Sequence, residues 1–208
     1  MKEHKSSGSK KGGKADGRTR SHTAAQRRSR GNLGRLSRRW SKLTEEQRTN
    51  WRHRARDVKS WTRKGHSYPL DGKQFFTKIN LVLLLLGREP VTDPPPEPNF
   101  GLNPVLALRI TEEDGRPILQ LIVKETPVHE IMVFASPPQP AGRASCRDYR
   151  FLGLLPAADD CEVEISRMYF RKFGVPPRNT RVFIRTWQQE NGWEDRGGMR
   201  LTSALTPP

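Results

Sequence analysis

The positive charge of this chain is concentrated in its first third. Of the 208 residues, the first 66 contain 21 Lys and Arg against 5 Asp and Glu, which accounts for the whole formal charge of +16. The other 142 residues carry 17 charges of each sign. A chain divided in this way is expected to fold as separate modules, and its basic part is expected to meet an anionic partner.

Residues 1–30 form a low-complexity stretch of Lys, Arg, Gly and Ser, with 10 basic and 2 acidic residues. Bulky apolar side chains are nearly absent, so the segment cannot bury enough surface to offset the entropy of ordering. The composition therefore predicts a disordered basic arm. Its candidate phosphate-binding residues are Lys10, Lys11, Lys14, Arg18, Arg20, Arg27, Arg28 and Arg30. The alternative is that the arm is only a solubilising surface.

Residues 31–88 have the periodicity of a helical module of about three helices. Apolar residues from Leu33 to Leu43 recur at helical spacing, which predicts a first amphipathic helix. Thr44 and Gln47 have the spacing of a capping box, so a second helix is expected to begin there. That helix is predicted to carry Trp51, Ala55 and Val58 on one face and a basic surface elsewhere. Candidate phosphate contacts on the two helices are Arg38, Arg39, Arg48, Arg52, Arg56 and Lys59.

A third helix is predicted between a cap at Asp71 and a stop at Gly87. Its apolar residues are Phe75, Ile79, Val82, Leu83 and Leu86. Because its carboxyl-terminal end is apolar all round, it should be enclosed by the first two helices, by the second half of the chain, or by another copy.

Residues 89–103 form a proline-rich segment, with Pro90, Pro94, Pro95, Pro96 and Pro98. Such a composition predicts an extended, semi-rigid linker that marks a domain boundary.

Residues 104–206 contain seven short stretches of β-type sequence with turn signals between them, which predict a β-sandwich of the immunoglobulin-like class. The predicted strands are 105–110, 118–123, 130–135, 149–154, 161–165, 181–188 and 198–203. Residues 166–173 are compatible with a short helical turn. The expected fold class is thus α+β multidomain: a disordered basic arm, a small helical module and an all-β immunoglobulin-like sandwich.

Residues 36–55, with the sequence LSRRWSKLTEEQRTNWRHRA, resemble the last two helices of the HMG box. Trp40, Leu43, Thr44, Glu46, Arg48, Trp51 and Ala55 fall in register with that family. The resemblance implies that Trp40 and Trp51 pack in the elbow of the fold rather than contact bases. It does not extend to the family's first helix, which carries the apolar wedge that bends DNA.

Residues 176–185, with the sequence PPRNTRVFIR, and the following Asn191-Gly192-Trp193 turn resemble a fibronectin type III domain. Val182 stands where that family usually has a tyrosine. Domains of this kind serve as spacers or docking surfaces. The overall arrangement also resembles uncharacterised bacterial proteins found near phage genes.

No pattern of catalytic or metal-binding residues is present in the sequence. The 5 His and 2 Cys lack the clustered spacing of a zinc site. Cys146, His129 and Asp148 carry no recognisable nucleophile signature. We therefore expect no enzyme activity, no metal and no cofactor.

The sequence predicts a cytoplasmic protein with reduced thiols and no membrane contact. Residues 1–30 contain no apolar core of a secretion signal. The apolar run 81–86 is far shorter than the ~20 residues needed to cross a bilayer.

Two functions are compatible with these features. The favoured one is nucleic-acid binding with low sequence specificity, DNA being favoured over RNA, in which the arm and the basic helical face neutralise phosphates. The β-sandwich would then be a docking or spacer module. The alternative is a structural or assembly protein, such as a phage-related one, that makes protein contacts or self-associates through the sandwich and the helix at residues 75–86.

Overall fold

The computed structural model describes residues 23–61, 67–157 and 161–208. The helices of this part are α1 (Ala24–Lys42), α2 (Glu45–Ala55), α3 (Gly72–Leu85) and α4 (Ser166–Phe173). The strands are β1 (Lys59–Trp61), β2 (Ser67–Pro69), β3 (Val105–Glu113), β4 (Arg116–Val123), β5 (Glu130–Ala135), β6 (Gln139–Pro140), β7 (Arg150–Leu154), β8 (Glu162–Glu164), β9 (Thr180–Glu190) and β10 (Trp193–Leu205).

Capping boxes begin the first three helices. The predicted boxes at Thr44 and Asp71 are both formed, each with a Gln three residues later that bonds back to the cap. A third box, of Thr23 with Gln26, begins α1 at Ala24. The prediction that residues 24–30 belong to a disordered arm is therefore wrong. Ala, Gln and Arg are strong helix formers, so a capped helix can extend without an apolar face.

The helical module packs around Trp51, Phe75 and Phe76, all fully buried. The Trp51 ring lies edge-on to both Phe rings, at 5.3 Å between centroids. Trp40 is half-buried and tilts onto Phe76 at 5.5 Å. Both tryptophans thus lie in or against the core, as the HMG-box resemblance implies for these two positions.

Two details of this module differ from the sequence prediction. Leu33 is 47% exposed, because this part of α1 extends beyond the core. The first buried residue of α1 is Leu36. Helix α2 ends at Ala55, and Val58 is buried after the helix rather than on it. Lys59 accordingly lies on strand β1, which pairs with β2 in a hairpin that the sequence did not predict.

The second half is a sandwich of two antiparallel sheets, so the predicted fold class is confirmed. One sheet has the order β3-β4-β8, and the other has the order β10-β9-β5-β7 with β6 paired to β9. All seven predicted strands are present. Leu119, Leu121, Ile131 and Ile184 fill the space between the sheets. The residues left open between helix and loop form α4, whose buried Tyr169 donates its hydroxyl to the Ser136 carbonyl at 3.0 Å.

Residues 89–103 contain no helix or strand, as expected of a linker, but they do not separate the two halves. We call this segment the strap. Trp51 donates its indole N–H to the Thr92 carbonyl at 2.7 Å, and Trp193 donates to the Pro95 carbonyl at 3.2 Å. The strap therefore binds to a tryptophan from each half of the chain.

The helical module and the sandwich also contact each other directly through α3. Trp193 of β10 belongs to the same buried cluster as Phe75 and Ile79. On the next side of α3, Val82 packs against Met132 and Trp187 of the sandwich. The first two helices and the sandwich thus enclose the inner sides of the third helix. Both were among the three partners that the sequence predicted for its apolar surface.

Candidate nucleic-acid interface

Helix α1 carries positive charge without any acidic residue. Its basic residues are Arg27, Arg28, Arg30, Arg35, Arg38, Arg39 and Lys42. With about 3.6 residues per turn, most of these side chains fall on the side of the helix opposite Leu36 and Trp40. No residue of 24–35 whose burial is described is buried. About 18 Å of basic helix, at 1.5 Å per residue, therefore lies outside the core.

Two basic residues of α1 hold the strap. Arg35 and Arg39 both pair with Glu89, at 3.1 and 3.0 Å. Arg39 also donates to the Pro90 carbonyl at 2.8 Å. Arg39 was predicted to bind phosphate, and in this structure its guanidinium is already engaged. Exposed ion pairs of this type exchange partners at small cost, so they position the strap more than they stabilise it.

The predicted arginines of α2 are similarly engaged within the module. Arg48 donates to the Ser41 carbonyl at 2.8 Å and pairs with Glu45 at 3.3 Å. Arg52 pairs with the same carboxylate. The hydrogen bond and charge of Arg52, followed by those of Arg48, lower the pKa of Glu45. Arg48 thus connects α2 to the end of α1, while Arg52 holds Glu45 at the start of α2.

The remaining predicted contacts differ in their surroundings. The side chains of four of them are exposed and make no hydrogen bond or ion pair with any residue that the structure describes: Arg27, Arg28, Arg38 and Arg56. Arg30 is also exposed. The predictions at Lys10, Lys11, Lys14, Arg18 and Arg20 lie outside the described residues. Of the fourteen predicted positions, α1 thus brings together the three unpaired arginines Arg27, Arg28 and Arg38.

Sequence reasoning missed Arg35 and Lys42, which lie on the same basic side of α1. Their spacing from Arg38 is three and four residues, and this helical spacing was the available signal.

Two glycines interrupt the basic side of α1. A Cβ at Gly31 would meet no atom within 4 Å, and one at Gly34 would meet only the Arg38 side chain at 3.6 Å. Neither glycine is therefore required by packing within the chain, although each lowers helix stability by about 0.5 to 1 kcal/mol relative to Ala. Their effect is to leave the helix backbone accessible between Arg27 and Arg38.

Groups that could in principle carry other chemistry are far apart or engaged. His129 pairs with Glu190 at 2.6 Å, at the start of β5. Cys146 lies near the opposite end of that strand, where Arg150 pairs with Ala135. The described residues contain no group of three or more His, Cys, Asp or Glu arranged to hold a metal ion. No described helix is both long enough and apolar enough to cross a membrane.

The chain matches no protein-family model, no curated protein and no solved structure. The resemblances to the HMG box and to fibronectin type III domains remain predictions.

Proposed function

We propose that the protein binds nucleic acid with low sequence specificity through the basic side of α1, extended by the basic residues that precede it. The observation that supports this most strongly is a capped helix with seven cations and no carboxylate. Nearly two thirds of this helix, residues 24–35, lies outside the core. A surface of this density attracts polyanions, and each phosphate it neutralises releases a counterion.

The dimensions of α1 favour duplex DNA as the partner. The major groove of B-DNA is ~12 Å wide and admits an α-helix, whereas that of A-form RNA is too narrow for side chains to read. Gly31 and Gly34 would allow a phosphate or sugar to approach the helix backbone. The contacts come from arginines directed at phosphates, so they would set position rather than sequence.

The other parts of the molecule have supporting roles in this proposal. Arg39, Arg48 and Arg52 keep their partners in the free protein and hold α1, α2 and the strap in one arrangement. The sandwich is a docking or spacer module. Cys146 and Cys161 are free thiols, which fits a reducing compartment such as the cytoplasm.

The test is a comparison of two triple variants with the same change of charge. In the first, Arg27, Arg28 and Arg38 are each replaced by Gln. In the control, the exposed arginines Arg116, Arg171 and Arg200 of the sandwich are replaced by Gln. Fluorescence anisotropy with a labelled 20-base-pair duplex should show that only the α1 variant loses affinity for the duplex, by tenfold or more. Equal weakening of both variants would mean that net charge, and not α1, determines binding.

Self-association through the sandwich is the second candidate, in line with an assembly role. It is favoured by two exposed leucines on β10, Leu201 at 59% and Leu205 at 45% exposure. Strand β10 lies at the end of its sheet, where unpaired backbone groups can recruit another chain. Light scattering of nuclease-treated protein separates the two functions, because a defined oligomer without nucleic acid supports assembly.

A further inference from the structure

An open cleft of about 580 Å³ lies along the outer side of α3, away from the basic side of α1. One wall is the helix itself, another is the β2 end with Tyr68 and Leu70, and the third is the start of β10 with Glu194 and Arg196. The volume lies within the ~300 to 1,000 Å³ typical of small-molecule sites. The proposed nucleic-acid interface does not use any of these residues.

The helical wall of the cleft is polar at its start, with Lys73, Gln74 and Thr77, and apolar toward its carboxyl-terminal end. Lys78, Leu81, Val82 and Leu85 follow each other at spacings of three, one and three residues, so their side chains line one side of α3 over ~10 Å. Leu85 is 46% exposed and Tyr68 is 42% exposed, although both have large apolar surfaces. Neighbouring exposed apolar groups in a concave site are typical of ligand-binding surfaces.

Lys78 supplies a positive charge at one end of this apolar wall. It is half-buried, and its ammonium forms no hydrogen bond or ion pair with any residue in the described part of the chain. Burial, and secondly the charge of Arg196, lower the pKa of Lys78. A partly buried ammonium without a partner is unfavourable, and an anion placed beside it would relieve the cost.

The two carboxylates that line the cleft are already occupied. Glu194 pairs with Arg196 at 2.7 Å, and its side chain is only 4% exposed. Asp71 accepts a hydrogen bond at 2.7 Å from the Gln74 backbone N–H, where it caps α3. Arg196 is further held over the Trp187 ring at 5.5 Å. The cleft therefore presents one guanidinium paired with Glu194 and two ammonium groups, those of the exposed Lys73 and the half-buried Lys78, beside an apolar surface.

We propose that this cleft binds an aliphatic carboxylate, with the carboxylate at Lys78 and the hydrocarbon chain along Leu81 and Leu85. The apolar wall disfavours a polyanion such as nucleic acid, because phosphates that followed the cleft past Lys78 would lie against Leu81 and Leu85 without a counter-charge. It equally disfavours a small inorganic anion, which would leave the leucines in water. A ligand with a single anionic head and an apolar body satisfies both parts of the cleft.

The test is calorimetric titration of the full-length protein with decanoate, decanol and acetate, each below its aggregation limit. Decanoate should bind at least tenfold more tightly than decanol, because a hydrogen bond to a charged group adds about tenfold or more in affinity. Acetate should show no measurable binding, since it lacks the hydrocarbon chain.

Two variants and a control locate the site. Lys78→Met should lower the affinity for decanoate at least tenfold and change the affinity for decanol by no more than about twofold. Leu85→Gln, at an exposed position, should weaken the binding of both decanoate and decanol. Lys172→Met removes an exposed lysine of α4 and should change neither. The proposal is overturned if decanoate shows no saturable binding, or if Lys78→Met binds decanoate as tightly as the unaltered protein does. Either result leaves the α1 proposal untouched, because duplex binding is measured separately.

Discussion

Phe75 on α3 and Trp193 at the start of β10 lie with their ring centroids 5.0 Å apart, inside the core of the helical module. A residue of the sandwich thus completes the core of the helices. The adjacent Gly192 has φ +88° and lies so close to α3 that a Cβ there would be 2.7 Å from the Ile79 carbonyl oxygen. The β9–β10 turn is therefore fitted to the helix surface.

Replacement of Trp193 by Ala should destabilise the helical module as well as the sandwich. Truncation of a buried aromatic side chain costs about 3 to 5 kcal/mol, and the indole hydrogen bond to the Pro95 carbonyl is lost with it. Thermal unfolding followed by circular dichroism should show a lower midpoint for the helical signal. A helical signal that melts as in the unaltered protein would show that the two halves are energetically independent.

Asn80 of α3 is expected to be a key residue in holding the strap against the helix. It is fully buried in α3, and its side-chain oxygen accepts from the Val91 backbone N–H at 2.7 Å. Asn80→Ala leaves that N–H without its partner, at a cost of about 1 to 3 kcal/mol. Urea unfolding should detect this loss, while the exposed Asn50→Ala serves as the control with a change below about 0.5 kcal/mol. Similar curves for the two variants would contradict a structural role of the strap.

Gly31→Ala should stabilise α1, because the added methyl group meets no atom within 4 Å. The expected gain is about 0.5 to 1 kcal/mol in the local stability of the helix. Amide hydrogen exchange across α1 is the measurement, and slower exchange is the predicted result. If duplex affinity falls at the same time, a close approach of the nucleic acid to the helix backbone is supported. An unchanged exchange rate would mean that the glycines do not limit the local stability of α1.

Lys78→Met should raise the stability of the free protein by roughly 1 kcal/mol, because it removes an unpaired, partly buried charge. Burial and the charge of Arg196 lower the pKa of Lys78 in the folded state below its ordinary value of 10.5, against the opposite effect of Glu194 and Glu97. The charged form is thus the one that folding disfavours, and its cost is fully present below the folded pKa. The stability difference between the two proteins should therefore narrow as pH rises from 7 toward 10.5. A difference that stays constant over this range would contradict the burial of the ammonium.

The parts of the fold that depend on local signals could be predicted from the sequence. Thr44 with Gln47, and Asp71 with Gln74, marked two helix starts because a capping box is complete within four residues. Thr23 with Gln26 has the same form and was overlooked, since apolar content had been used to set the end of the arm. The seven strands followed from β-type stretches between turn signals.

Contacts between distant positions could not be predicted in this way. The bond from Trp51 to Thr92 joins residues 41 apart, and the bond from Trp193 to Pro95 joins residues 98 apart. For the same reason, sequence alone could not separate Arg39, which pairs with Glu89, from Arg38, which is unpaired. The α3 cleft gave no sequence signal, because a lysine at helical spacing from leucines usually indicates only the exposed edge of an amphipathic helix.

The most direct test of the proposed function is the salt dependence of duplex binding. Affinity for a random 20-base-pair duplex would be measured at several salt concentrations, for the unaltered protein and for the variant with Arg27, Arg28 and Arg38 replaced by Gln. Each phosphate neutralised contributes about 0.9 to the slope of log affinity against log salt concentration. We predict that the slope of the variant is shallower by about 2 to 3 units. An identical slope for the two proteins would contradict the account, because the unpaired arginines of α1 would then contact no phosphate.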